Sequence, residues 1–67
     1  LNFAQALVPH FGRRIEVFMD NRFLQGTLHG ITDGILSILA DSSVYSEESG
    51  LFSIPVANLE FVRILVG

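Results

Sequence analysis

Gly26-Thr27-Leu28-His29-Gly30-Ile31-Thr32-Asp33-Gly34-Ile35-Leu36-Ser37-Ile38-Leu39 reads as one strand, a two-residue turn and a second strand. Asp33-Gly34 lies between two apolar-patterned runs. Both central residues of a type I′ turn need positive φ, and Asp and Gly tolerate it, so the stretch predicts a tight antiparallel hairpin. Gly26 and Gly30 fall inside the first arm. Glycine weakens a strand and marks a sharp bend, a bulge or a close backbone approach, so this arm is expected to curl.

Toward the N-terminus the period of two continues. Ile15, Val17 and Met19 point one way from Arg14 onward, and Glu16, Phe18 and Asp20 the other, the pattern of a half-buried strand. Asp20-Asn21 makes the next turn, and a second strand runs from Arg22 to about Thr32 with Leu24, Gly26 and Leu28 on one face. Asn2 is placed to cap a short helix over about residues 2–8, in which Phe3 and Leu7 share a face. Pro9 disfavours helical geometry at the residue before it, so the regular helix stops near Leu7 or Val8, with one irregular turn to Phe11 before Gly12. Two turns do not hold alone in water, so the helix is expected to lie on the sheet or on a neighbouring copy.

Toward the C-terminus a third strand runs from Ile35 to about Asp41, and the pattern allows a continuation through Val44 and Tyr45. Ser46-Glu47-Glu48-Ser49-Gly50 is a polar turn between Val44-Tyr45 and Leu51-Phe52-Ser53-Ile54, which read as two arms of a second hairpin. Pro55 cannot donate to a ladder and ends the fourth strand. Val56-Ala57-Asn58 then forms about one 3₁₀ turn before a last strand from Leu59 to Val66. One short helix followed by five strongly bent antiparallel strands is the count of a mainly β, SH3-like barrel, a single domain over residues 1–67 with the barrel over about 13–66.

A chain of 67 residues sits near the size that buries only about 60% of its unfolded surface, so a lone core is marginal. Without cysteine, disulfides are excluded. A metal finds no zinc-type spacing either, since His10 and His29 are the only imidazoles, and His29 reads as a structural histidine within a strand. Apolar residues make up 49% and charged ones only 16%, below the roughly 25% charged content of ordinary domains, so self-association is expected to hide the surplus. No run approaches the ~18 apolar residues of a membrane span, and no signal peptide is visible, which points to a cytoplasmic protein that binds no membrane. Seven carboxylates face four arginines and no lysine, a net charge of −3 that opposes a polyanion.

No pattern for catalysis stands out. Glu47 and Glu48 are adjacent in a turn and read as solvated, while Ser42, Ser43, Ser46 and Ser49 read as turn formers, distant in sequence from both histidines. The two strand glycines lack the strand-to-helix context of a nucleotide fingerprint. The chain therefore reads as a non-enzyme without a cofactor. Arg13-Arg14, with His10 nearby, is the densest positive cluster; it reads as a solvated start of a strand, or as a basic collar if several copies form a ring. Phe18 and Phe23 fall opposite the expected core, where the N-terminal helix is expected to cover them, a partner-binding patch being the other reading.

Gly12-Arg13-Arg14-Ile15-Glu16-Val17, then Gly26-Thr27-Leu28, then Ile54-Pro55-Val56 and a closing segment from Leu59 to Ile64 resemble the Sm-like (LSm) barrel family over about residues 12–66. The pattern is most similar to two bacterial groups of that family, single-barrel proteins of spore-forming bacteria and the C-terminal barrel of the ribosome maturation factor. RNA-binding members carry an Asp, a stacking aromatic or histidine and an Asn around the turn after the second strand, and a basic pair between the fourth and fifth. Those places fall here on Thr32, Gly34, Leu36 and Ile54-Pro55-Val56. Glycine and leucine offer neither a π face nor paired donors and acceptors, so the base pocket is erased; a one-residue shift lets Asp33 serve as the acid and leaves the other members missing.

What the resemblance implies for assembly is a ring in which the fourth strand of one subunit pairs with the fifth of the next. The corresponding residues are Leu51, Phe52, Ser53 and Ile54 on one side and Leu59, Phe61, Val62 and Ile64 on the other, some of which, Ile54, Phe61 and Val62 among them, also suit a core. The functional expectation is a cyclic homo-oligomer acting as a binding scaffold, with RNA as a candidate ligand at Arg13, Arg14, His29, Thr32 and Asp33. The alternative is a protein-interaction module of ribosome-assembly or spore-associated type that binds no nucleic acid.

Overall fold

Two turns built from residues at positive φ organise the sheet. Asp20 and Asn21 stand at φ 45° and 61°, and Asp33 and Gly34 at 53° and 74°, the left-handed geometry that matches the twist of flanking strands. Between them run β1 (Arg14–Met19), β2 (Arg22–Thr32) and β3 (Ile35–Ala40). The computed structural model describes residues 2–41 and 49–66; the expected arm at Val44-Tyr45 and most of the Ser46 to Gly50 turn, with Glu47 and Glu48, lie outside the described residues.

Beyond that gap come β4 (Gly50–Pro55), a 3₁₀ turn over Val56–Asn58 and β5 (Phe61–Ile64), preceded at the N-terminus by α1 (Phe3–Leu7) and a 3₁₀ turn over Val8–His10. The five strands form one antiparallel sheet in the order β4-β3-β2-β1-β5. The sheet is open, with β4 and β5 as its two edges. The last strand is shorter than its apolar pattern, although the Leu65 N–H still donates to the Arg14 carbonyl at 2.9 Å.

Strand β2 pairs with both neighbours, and the change of partner occurs at Gly26, which lies opposite Ile15 in β1 and Ala40 in β3. Its place is a close backbone approach: a Cβ there would stand 2.8 Å from the Ala40 Cα and closer still to the Leu39 carbonyl oxygen. Gly30 has a different reason. The β2–β3 register shifts between Leu28 and Gly30, leaving His29 as an extra, exposed residue, and a Cβ at Gly30 would meet nothing within 4 Å. The bulge accounts for the bend there without any steric demand for glycine.

Alternation along the strands builds one core. Ile15, Val17, Leu28, Leu36 and Ile38 are fully buried, and Met19, Leu24 and Ile54 nearly so. Phe52 of β4 and Val62 and Ile64 of β5 pack against the same cluster, so both edges of the open sheet lie over a common core. The helix closes one side of it with Leu7, while Phe3 stays 41% exposed. Asn2 and Gln5 cap the helix reciprocally: Asn2 Oδ1 accepts from the Gln5 N–H at 2.8 Å, and Gln5 Oε1 from the Asn2 N–H at 2.9 Å.

The two glycines therefore separate in their tolerance. Gly26→Ala is expected to lower stability by about 1–3 kcal/mol through overpacking against the β3 backbone, whereas Gly30→Ala stays within about 0.5 kcal/mol of the parent. Urea denaturation midpoints of the two variants check this.

Candidate functional site

The turn between β2 and β3 and the 3₁₀ turn after β4 meet. Proline ends β4 with Ile35 opposite Pro55, and the Val56 N–H donates to the Gly34 carbonyl at 2.8 Å. Thr32 and Asp33 are exposed beside this junction, Gly34 supplies only the turn, and Leu36 is fully buried in the core. The two loops thus converge beside Thr32 and Asp33, and the place the resemblance gives to a stacking ring is held by Gly34. His29 is exposed at the bulge on β2.

The basic residues divide into paired and unpaired. Arg14 of β1 reaches β2 and the residue that follows β3: its Nη1 donates to Thr27 Oγ1 and to Asp41 Oδ1, each at 3.3 Å, and its Nη2 donates to Asp41 Oδ2. The hydrogen bonds from Arg14 and its charge hold the Asp41 carboxyl below its ordinary value, and those to Asp41 raise the guanidinium above its own. Arg63 donates to Glu16 at 3.2 Å, across the register pair Glu16–Arg63. Arg13 and Arg22 make no ion pair among the described residues. Half of the positive charge available for a polyanion is already balanced within the chain.

His10 lies at the end of its 3₁₀ turn, where its Nδ1 is buried without a hydrogen-bond partner among the described residues. Its carbonyl accepts from the Arg13 N–H at 2.9 Å, which orders the approach to β1. No group of three metal-binding side chains converges among the described residues, and no described helix is long and apolar enough to cross a membrane.

On the outer face of β2, β1 and β5 stands a row of aromatic rings. Phe18 stacks on Phe61 with centroids 4.3 Å apart and on Phe23 at 5.6 Å, and the Arg63 guanidinium carbon lies 5.7 Å from the Phe18 centroid. The rings set against Phe18 come from the sheet, while the helix gives its buried residue, Leu7, to the core. Phe23 and Phe61 remain 37% and 47% exposed. Sequence reading missed this row because its third ring arrives from a strand far away along the chain.

Each residue expected at a subunit interface now has a place. On β4, Leu51 and Ser53 face outward with Leu51 57% exposed, while Phe52 and Ile54 face the core. On β5, Phe61 faces outward and Val62 and Ile64 pack inward; Leu59, just before β5, is half-buried against the core. Leu51 lies opposite Leu39 of β3, itself 50% exposed, so an apolar pair borders the β4 edge. A cleft of about 500 Å³ opens between the β1–β2 turn and β4, with Met19, Leu24, Phe52 and Ile54 as its apolar floor and Arg22 and Asn58 at its rim.

Comparison with protein-family models, with curated proteins and with solved structures finds no significant match to this chain.

The Arg14–Asp41 contact gives a pH signature. A carboxyl held below its ordinary value of 3.8 adds stability above that pH and loses it as the pH falls through the lowered value. The stability gap between the parent and Asp41→Asn is therefore expected to be widest near neutrality and to close below pH 3.8. Paired denaturation curves across that range measure it; a gap that holds constant into acid contradicts the assignment.

Proposed function

We propose that this chain is a non-enzymatic, cytoplasmic Sm-like barrel that assembles through the free edges of β4 and β5 into a cyclic homo-oligomer and serves as a binding scaffold. Barrel geometry is supported by the common core beneath both sheet edges, by the close approach at Gly26 and by the bulge at His29. The observation that carries the assembly is the state of those edges. An exposed edge strand is a template for pairing unless lysine, proline, an inward charge or a bulge blocks it. Here the chain has no lysine, and within the two edge strands the one proline, Pro55, stands at the end of β4. Leu51 and Phe61 flank the open edges as large exposed apolar side chains. Closing the edges around a ring satisfies the backbone and removes the apolar surplus together.

What the scaffold holds follows from charge. The loop junction at Thr32, Asp33, Gly34 and Val56 lacks the chemistry of a base pocket, and RNA contact would rest on Arg13, on Arg14 competing with Asp41, and on His29. The protein-interaction reading draws support from the same facts. A net charge of −3 and internally balanced Arg14 and Arg63 favour a protein ligand over a phosphate backbone.

Sedimentation equilibrium at micromolar concentration is expected to give a mass several times that of one chain; a strictly monomeric species removes the ring. Titration of labelled single-stranded oligonucleotides over a salt series decides the ligand class. Binding that weakens steeply with salt supports RNA, and no binding at low salt leaves protein contacts.

A further inference from the structure

Alternation along β2 puts Arg22 on the same side of the strand as the buried Leu24 and Leu28. Its partner in the β1–β2 register is Met19, which also faces the core. A guanidinium therefore stands on the inner side of the sheet, where β2 leaves the turn at Asp20-Asn21. It lies at the rim of the cleft of about 500 Å³ floored by Met19, Leu24, Phe52 and Ile54. Arg22 is exposed there and makes no ion pair among the described residues.

Asp20 borders the same cleft, held in the turn at φ 45°, and it too makes no ion pair among the described residues. Opposite charges thus flank one opening without pairing with each other, whereas Arg14 with Asp41 and Arg63 with Glu16 are matched elsewhere on the sheet. Asn58, from the 3₁₀ turn after β4, adds an uncharged polar group to the lining.

Clefts of about 300–1,000 Å³ with an apolar lining and a few convergent polar groups hold small molecules, and the mouths of β-barrels are among their usual places. Charge then narrows the ligand. A simple anion that meets Arg22 also faces the Asp20 carboxylate, and a simple amine meets the reverse. A polyanion finds one guanidinium beside a carboxylate. A wholly apolar molecule covers the floor and leaves both charges to water. The remaining class carries both signs on neighbouring atoms together with an apolar body. A free α-amino acid has its ammonium and carboxylate on one carbon, whereas a peptide separates them to its two ends.

We propose that this cleft binds a free α-amino acid with a large apolar side chain. Its carboxylate pairs with Arg22, whose planar fork of donors matches two carboxylate oxygens. Its ammonium pairs with Asp20, and its side chain rests on Met19, Leu24, Phe52 and Ile54. The site goes beyond the scaffold reading, and a single chain supplies every residue of it.

L-Leucine is the probe, and three analogues each lack one of its features: 4-methylpentanoate the ammonium, 3-methylbutylamine the carboxylate and glycine the side chain. In residue-resolved NMR titrations of the parent protein, leucine is expected to shift the amide signals of Met19, Arg22, Leu24 and Ile54 saturably. Each analogue is expected to bind about tenfold more weakly or worse. Asp20→Asn keeps a residue that tolerates positive φ and is expected to erase the advantage of leucine over 4-methylpentanoate. Arg22→Gln is expected to erase its advantage over 3-methylbutylamine. The analogue series on the parent decides the matter even where a variant fails to fold. Equal binding of leucine and the two singly charged analogues shows an apolar groove without recognition of the head group and overturns the site. Failure of leucine to saturate, or saturation centred on other residues, overturns it as well. A protein that sediments as a monomer and binds leucine in this pattern removes the ring and supports the site.

Discussion

Gly26 is the point on which the sheet turns. It is the residue at which β2 passes from β1 to β3, with Ile15 on one side and Ala40 on the other, and the β3 backbone presses where a side chain would stand. Because one long strand serves two neighbours at an angle, the halves of the sheet fold toward each other. That is why Ile54 near one edge and Val62 near the other reach one cluster around Ile15, Leu28, Leu36 and Ile38. A flat sheet of the same sequence would not gather these residues into one cluster.

The local features of the fold were legible because local chemistry sets them. Asp20-Asn21 and Asp33-Gly34 announce turns that need positive φ, and both adopt it. Pro9 and Pro55 mark the end of the helix and of β4, and the alternation from Ile15 to Met19 is the burial pattern observed. What pattern could not supply is long-range. Asp41 meets Arg14 across 27 positions and Arg63 meets Glu16 across 47, pairings that exist only after the register is set. Gly26 and Gly30 looked alike in sequence, yet one is a steric requirement and the other follows a bulge.

The same division applies to the candidate site. Apolar segments at the last two strands were visible, but their division into core-facing Ile54 and Val62 and outward Leu51 and Phe61 depends on which face each strand presents. The Phe23, Phe18 and Phe61 row unites three strands and could not be read from any one of them. Electrostatics reinforces the result. Arginines that seemed free for a polyanion are partly held by Asp41 and Glu16, while the edges carry little charge to deter another strand.

Native-state hydrogen exchange resolved by residue tests the central claim, that the free edges of β4 and β5 are completed by other copies. By the alternation of the ladder, the amides of Leu51, Ser53, Val62 and Ile64 point to the free edges and have no partner among the described residues. They are expected to become protected as protein concentration rises, together and to a similar degree. Rapid exchange at all four positions at every concentration, beside protected amides in β2, would contradict the account.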